Sequence, residues 1–363
     1  VTANGNATLQ SGIFDLSTFT CNRSSVGGVL SIINGTGLYI GGANNFPANF
    51  ATNSLGNTST VLYNGTMAQF VKGITYGNLS FSNGGAAAKT LVSSGTVNGD
   101  ILVNSGATLH SGGFTITLLG NWTNSGTFTA STGTIVFNGA AKTITGNTTF
   151  NRITVNGSYT VANNDIVYNG LINVTTTGSY VAGGGIATLN GDLTNSGSLT
   201  STGTTTFTGT SVQTLRLLNA LNSTSTGIVN FNGNVTPVMN STSSPNFATL
   251  NINNTAGVNP SVTWNIFIAM NVNSGATFNG GVSTHNIYGN FTNAGTTTST
   301  GTLNYIPSTA KTINFGGSGF SSTGTINFGG SGQITMAGTA GTLNNVAIVN
   351  TNVSGVTPSS GWD

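Results

Sequence analysis

The fold is decided by three segments that align almost residue for residue. Gly120 to Ile144 reads GNWTNSGTFTASTGTIVFNGAAKTI, Gly191 to Leu215 reads GDLTNSGSLTSTGTTTFTGTSVQTL, and Gly289 to Ile313 reads GNFTNAGTTTSTGTLNYIPSTAKTI. Upstream, ILVNSGATLHSGG from Ile101 matches MNVNSGATFNGG from Met270. The copies begin 71 and then 98 residues apart, near three and four units of about 24. A second marker behaves alike. Leu79, Ile153, Leu250 and Val346 hold matched places in YGNLSFSN, FNRITVNG, FATLNINNT and LNNVAIVNT, at separations of 74, 97 and 96 residues.

Within a unit, apolar residues cluster at short intervals: Trp122, Phe128, Ile135 with Phe137, then Ile144. Asn-Ser-Gly, Ser-Thr-Gly and Asn-Gly-Ala lie between them, and these supply the positive φ angles and side-chain-to-backbone bonds of tight turns. A unit therefore reads as three short strands and three corners. Such a unit cannot bury its apolar face alone, whereas stacked units share one continuous core. The expected architecture is all-β, a right-handed parallel β-helix with about 24 residues and three strands per coil. Fifteen or so coils at the strand spacing of roughly 4.8 Å would make a rod on the order of 70 Å long. Asn at successive corners, and inward Thr and Ser, would stack in ladders along it.

Composition supports this reading. Charged residues are 3% of the chain and Glu is absent, while 37% of residues are hydrophobic, which argues against polar disorder. Gly, Asn, Ser and Thr disfavour helix. An array of β-sandwiches is the rival, but it would not grow in steps of one coil. Residues 1–58 repeat less clearly and read as irregular capping coils, 59–350 as the regular solenoid, and 351–363 as a tail or a link to a following segment. Val1 follows no basic stretch with an apolar run, so the expectation is a removed signal peptide or a chain cut from something longer.

A net charge of +2 makes no basic patch, which excludes nucleic acid as the expected partner, and no apolar run reaches a membrane span. Cys21 stands alone and reads as a small buried residue. Glycoside hydrolysis needs two facing carboxylates, yet Asp15, Asp100, Asp165 and Asp192 are scattered along the sequence. Asp100 and Asp192, in NGDI and NGDL, read as corner residues. His110 and His285 lack metal-ligating company and read as solvated corners. GGSGF from Gly316 and GGSGQ from Gly329 lack the Lys-Ser/Thr of a phosphate loop. No catalytic, cofactor-binding or metal residue is expected, and the chain is not expected to be an enzyme. Thr-rich segments at Thr127, Thr204 and Thr298 do not keep the strict T-x-T phase that an ice-binding face requires. Sequons at Asn34, Asn64, Asn121, Asn156 and Asn290 would permit glycosylation, though Asn121 falls in a strand.

The run from Ser59 to Leu109 and the following GNWTNSGTFTASTGTIVFNG stretch resemble the repeats of very large Bacteroidetes cell-surface proteins. LNGDLTNSGSLTSTG from Leu189 is also similar to filamentous-haemagglutinin and autotransporter-passenger repeats. Together these cover Ser59 to Asn350. The resemblance implies a secreted, extracellular β-helix acting as a surface filament or fibrous adhesin. Its expected partners are sister chains, end to end or laterally, or cell-surface and host glycans. A carbohydrate-binding stalk would gather exposed aromatics on one side, with Tyr180, Tyr288 and Trp362 as candidates.

Overall fold

A computed structural model describes residues 2–85, 87–223, 226–316, 319–339 and 341–359. Every regular element among them is a β-strand, mostly of two to six residues, and the strands pair in parallel. The chain is a β-solenoid of about 17 turns, with three strands per coil. It divides into two compact units, Val1–Gly170 and Leu171–Asp363.

Three stacks of strands build the first unit. One runs through Gly37–Ile40, Thr60–Tyr63, Asn78–Phe81, Ile101–Val103, Trp122–Asn124 and Lys142–Thr145. A second runs through Gln69–Val71, Lys89–Leu91, Thr108–His110 and Thr127–Thr129. The third comprises Thr75–Tyr76, Gly95–Val97, Thr115–Leu118, Thr134–Phe137 and Arg152–Val155. Stacking begins early in the sequence, since Ala7–Leu9 already pairs with Gly27–Ile32, and that strand with Phe50–Leu55.

The second unit repeats the plan. Ile172–Val174, Leu193–Asn195, Thr214–Leu217 and Val238–Met239 form one stack. Thr284–Ile287, Thr302–Tyr305, Phe320–Phe328 and Leu343–Ile348 belong to another. Asn290–Asn293, Lys311–Asn314, Ile334–Ala337 and Val356–Pro358 belong to the last. Asn246–Ile252 and Asn265–Val272 are long enough to turn a corner and serve two stacks each.

Most strands alternate inward and outward residues. In Thr134–Phe137, Ile135 and Phe137 are buried and the threonine and valine between are partly exposed. Inward aromatics stack on one another from coil to coil. Phe207 stacks on Phe231 at 4.9 Å and Phe231 on Trp264 at 5.5 Å, with interplanar angles of 12° and 15°.

The coil is shorter than the expected 24 residues. Paired residues are typically 21 apart, ranging from 17 between Ile144 and Val161 to 24 between Phe207 and Phe231. The reason lies in where the matched segments fall. Leu193–Asn195 and Asn290–Asn293, from the second and third copies, belong to different stacks of the second unit. Their 98-residue offset is therefore four coils of 21 plus two thirds of a coil, not four coils of 24. Leu79 and Ile153, 74 apart, also sit in different stacks of the first unit. What repeats is a strand with its corner, which fits any of the three sides.

Candidate binding surface

The T-N-x-G phrase has a defined task. Asn124, Asn195 and Asn293 are all buried where their strand ends. Asn195 Nδ2 donates to Asn219 O at 2.9 Å and Ala220 O at 3.1 Å in the next coil, while its Oδ1 accepts from Gly197 N at 3.3 Å. Asn124 Nδ2 donates to Asn147 O at 3.0 Å and Thr148 Oγ1 at 3.1 Å, and Oδ1 accepts from Gly126 N. Asn293 Nδ2 donates to Phe315 O at 3.1 Å. Each carboxamide thus brackets two corners, supplying partners to backbone groups that no strand pairs. Glycine is needed opposite: Gly146 (φ 89°) and Gly316 (φ 75°) lie against the Asn124 and Asn293 carbonyls, where a Cβ would collide at 1.8 and 1.6 Å. Gln69 and Gln213, in GTMAQ and GTSVQ, bracket corners in the same manner.

Asparagine ladders are present, but the longest runs along the outside of strands, not along corners. Asn222, Asn246, Asn265, Asn286, Asn304 and Asn327 occupy one outward file of the second unit. Each Nδ2 donates to the Oδ1 of the preceding coil, at 2.8, 3.0, 2.8, 2.8 and 3.3 Å. The ladder ends at Asn327, whose Oδ1 is buried without a partner because Ala347 occupies the next rung. A shorter ladder joins Asn230, Asn251 and Asn271 on the adjoining stack. A third, at a corner, joins Asn232, Asn253 and Asn273.

Two residues beyond the long ladder runs an apolar file. Phe267 is 48% exposed and its ring lies parallel to Tyr288 at 5.0 Å, with an interplanar angle of 5°. The backbone N–H groups of Tyr288, Ile306, Gly329 and Val349 each reach the carbonyl of the coil before, which fixes them in one register. A Cβ on Gly329 would lie 3.1 Å from Ile306 Cγ2 and 3.3 Å from Val349 Cγ2, so those two side chains close over the glycine. On the other flank of the ladder stand Thr284, Thr302 and Thr325.

Of the aromatics expected outside, Tyr288 is there, half-buried beside Phe267. Tyr180 is buried, since in SYVA it alternates inward with Ala182. Trp362 lies outside the described residues. His285 is likewise no solvated corner. It is fully buried in Thr284–Ile287, in phase with the inward Ile287. Trp264 N donates to its Nδ1 at 3.2 Å, so Nε2 carries the proton and donates to Gly280 O at 2.9 Å. Burial pushes its pKa below the ordinary value, holding the ring neutral. His110 is partly exposed, its Nδ1 accepting from Gly112 N at 3.1 Å.

Asp100 and Asp192 tie one coil to the next. Asp100 Oδ1 accepts from Asn121 N at 2.7 Å and Asp192 Oδ1 from Thr214 N at 2.7 Å. Asp15 accepts from Ser17 N at 2.7 Å. Asp165 leads into Ile166–Tyr168, which pairs with Thr148–Phe150, whereas Asp100 leads into a different stack. Among the described residues no cluster of three His, Cys or Asp side chains could hold a metal. Cys21 is buried, and burial raises its pKa. Lys89, unremarked in the sequence, is fully buried, with Nζ donating to Gly65 O at 2.7 Å and Asn83 O at 2.8 Å. Its pKa is lowered by burial. Among the sequons, Asn34, Asn121 and Asn290 already spend Oδ1 on backbone N–H groups of Thr58, Thr143 and Thr312. Gly330 turns its corner at φ 82°; residues 317 and 318 of GGSGF lie outside the described residues.

The chain matches no family model, no curated protein and no solved structure.

Proposed function

We propose that the protein is an extracellular structural and adhesive β-solenoid, a segment or subunit of a cell-surface filament or fibrous adhesin. The observation that carries this reading is how the polar side chains are spent. Bracketing Asn and Gln residues, the Asn ladders and the corner aspartates all bond from one coil to the next. Polar groups are thus committed to holding coils together rather than to converging on a reacting atom, as a scaffold requires and catalysis does not. The likeness of its repeats to those of giant surface proteins points the same way, toward secretion and display.

Near-zero net charge favours association, and copies joined end to end would continue the parallel pairing. Electron microscopy of the purified chain tests the reading. Elongated particles, or fibres built from them, are expected; compact globules overturn it. A carbohydrate-binding stalk is the second reading, favoured by the outward Phe267–Tyr288 pair.

A further inference from the structure

We propose that the ladder side of the second unit is a binding surface for a neutral polysaccharide, with the Phe267–Tyr288 pair as its stacking platform. The inference rests on the adhesive reading above and names the ligand class. Three parallel files define the surface: threonines 284, 302 and 325, the long Asn ladder, and the apolar file led by Phe267. None of the three contains a formal charge. An anionic or cationic ligand would therefore find no counter-charge, whereas a neutral one has no ionic group to desolvate.

The chemistry of the files fits a sugar chain. A carboxamide has two donors and an acceptor oxygen with two lone pairs. Within the ladder each inner Asn uses one N–H and one lone pair on its neighbours. One N–H and one lone pair of each partly exposed inner Asn form no ladder bond, repeating at roughly 4.8 Å from Asn246 to Asn304; the row stops there, because Asn327 Oδ1 is buried. That is a fixed row of alternating donors and acceptors, and ladder bonding has already restrained the side chains that present it. Ring hydroxyls can both donate and accept, so a polyol can satisfy such a row. Phe267 and Tyr288 stack on one another at 5.0 Å, which covers their facing surfaces, and the 48% exposed Phe267 offers its remaining face and edge to the C–H groups of a pyranose. Aromatic surface with a few positioned polar groups is the usual make-up of small-ligand sites.

The same surface is a poor match for a second copy of itself. Flat packing of ladder on ladder would bury the leftover N–H groups against apolar atoms or other ladders out of register, and each unpaired polar group costs stability.

The test is calorimetric titration of the whole chain with cellohexaose, chitohexaose, mannohexaose and a β-1,3-linked glucohexaose, with a sulfated oligosaccharide as the charged control. At least one neutral hexaose should bind, with affinity unchanged by salt, and the sulfated one should not. Phe267→Ala/Tyr288→Ala should weaken that binding at least tenfold while leaving the melting temperature within a few degrees. No binding by any neutral probe overturns the proposal, as does an unchanged affinity in the double variant. So does concentration-dependent association of the chain that the double variant abolishes, which would make this surface a contact between copies. Elongated particles in the microscope would leave the structural reading standing in each of those cases.

Discussion

Four buried side chains test how polar groups are handled inside the solenoid. Asn195 serves two carbonyls and one N–H, so Asn195→Ala leaves all three short of partners. A loss of roughly 2–3 kcal/mol is expected, seen as a lower urea midpoint, with Asn195→Asp also destabilising because it cannot donate. Tyr305 is the reverse case. Its hydroxyl is buried with no hydrogen-bond partner, while its ring packs on Phe328 at 5.6 Å. Tyr305→Phe keeps the packing and removes the stranded hydroxyl, and should leave stability unchanged or raise it by about 1 kcal/mol; a clear drop in midpoint would show an overlooked partner. For His285 the sign follows from its lowered pKa. The unfolded chain takes up the proton first, from about pH 6.5 downward, so stability is flat above that value and falls as acid is added. The melting temperature should drop between pH 7 and 5, and His285→Gln should flatten that slope. The buried Lys89, also lowered, acts only at alkaline pH: stability rises as pH climbs from its folded value toward 10.5.

At the scale of strands and ladders, the vacancy above Asn327 is an opportunity. Ala347→Asn would place a donor over the unpaired Oδ1 and add a rung. A gain of about 1 kcal/mol is expected, whereas Asn286→Ala, which cuts two rungs, should cost more; both are read from denaturant midpoints. Much of this element logic was legible in the sequence. Apolar clusters such as Ile135 with Phe137 gave the strands, and Asn-Ser-Gly, Ser-Thr-Gly and Asn-Gly-Ala gave the corners. The inward turn of the T-N-x-G asparagine was not legible, because Asn is equally at home in an exposed turn. Coil length was misjudged for a geometric reason: a strand–corner unit recurs on any side, so distances between copies are not whole coils. His285 and Tyr180 were misplaced by residue type, although alternation in THNI and SYVA puts both inward. The aromatic platform was half visible. Tyr288 was a candidate, but Phe267 sits in the apolar run NIFIAM, and only the corner within Asn265–Val272 turns it out.

For each unit as a whole, the consequence of coil-on-coil construction is that stability is local. Every coil touches the coils on either side of it, so free energy sums along the stack from intrinsic and nearest-neighbour terms. Damage in one coil should loosen its neighbours and fade beyond them, unlike a mutation in a globular core. The Asn195→Ala variant makes this measurable, because its lost partners lie in the coil that contains Thr214–Leu217. Amide hydrogen exchange should quicken in Leu193–Asn195 and Thr214–Leu217. Thr302–Tyr305, several coils away in the same unit, should keep the protection of the parent chain. Equal acceleration in all three strands would mean that the unit opens as a single cooperative block. Its ladders would then act as a continuous spine, coupling distant coils more strongly than nearest-neighbour packing allows.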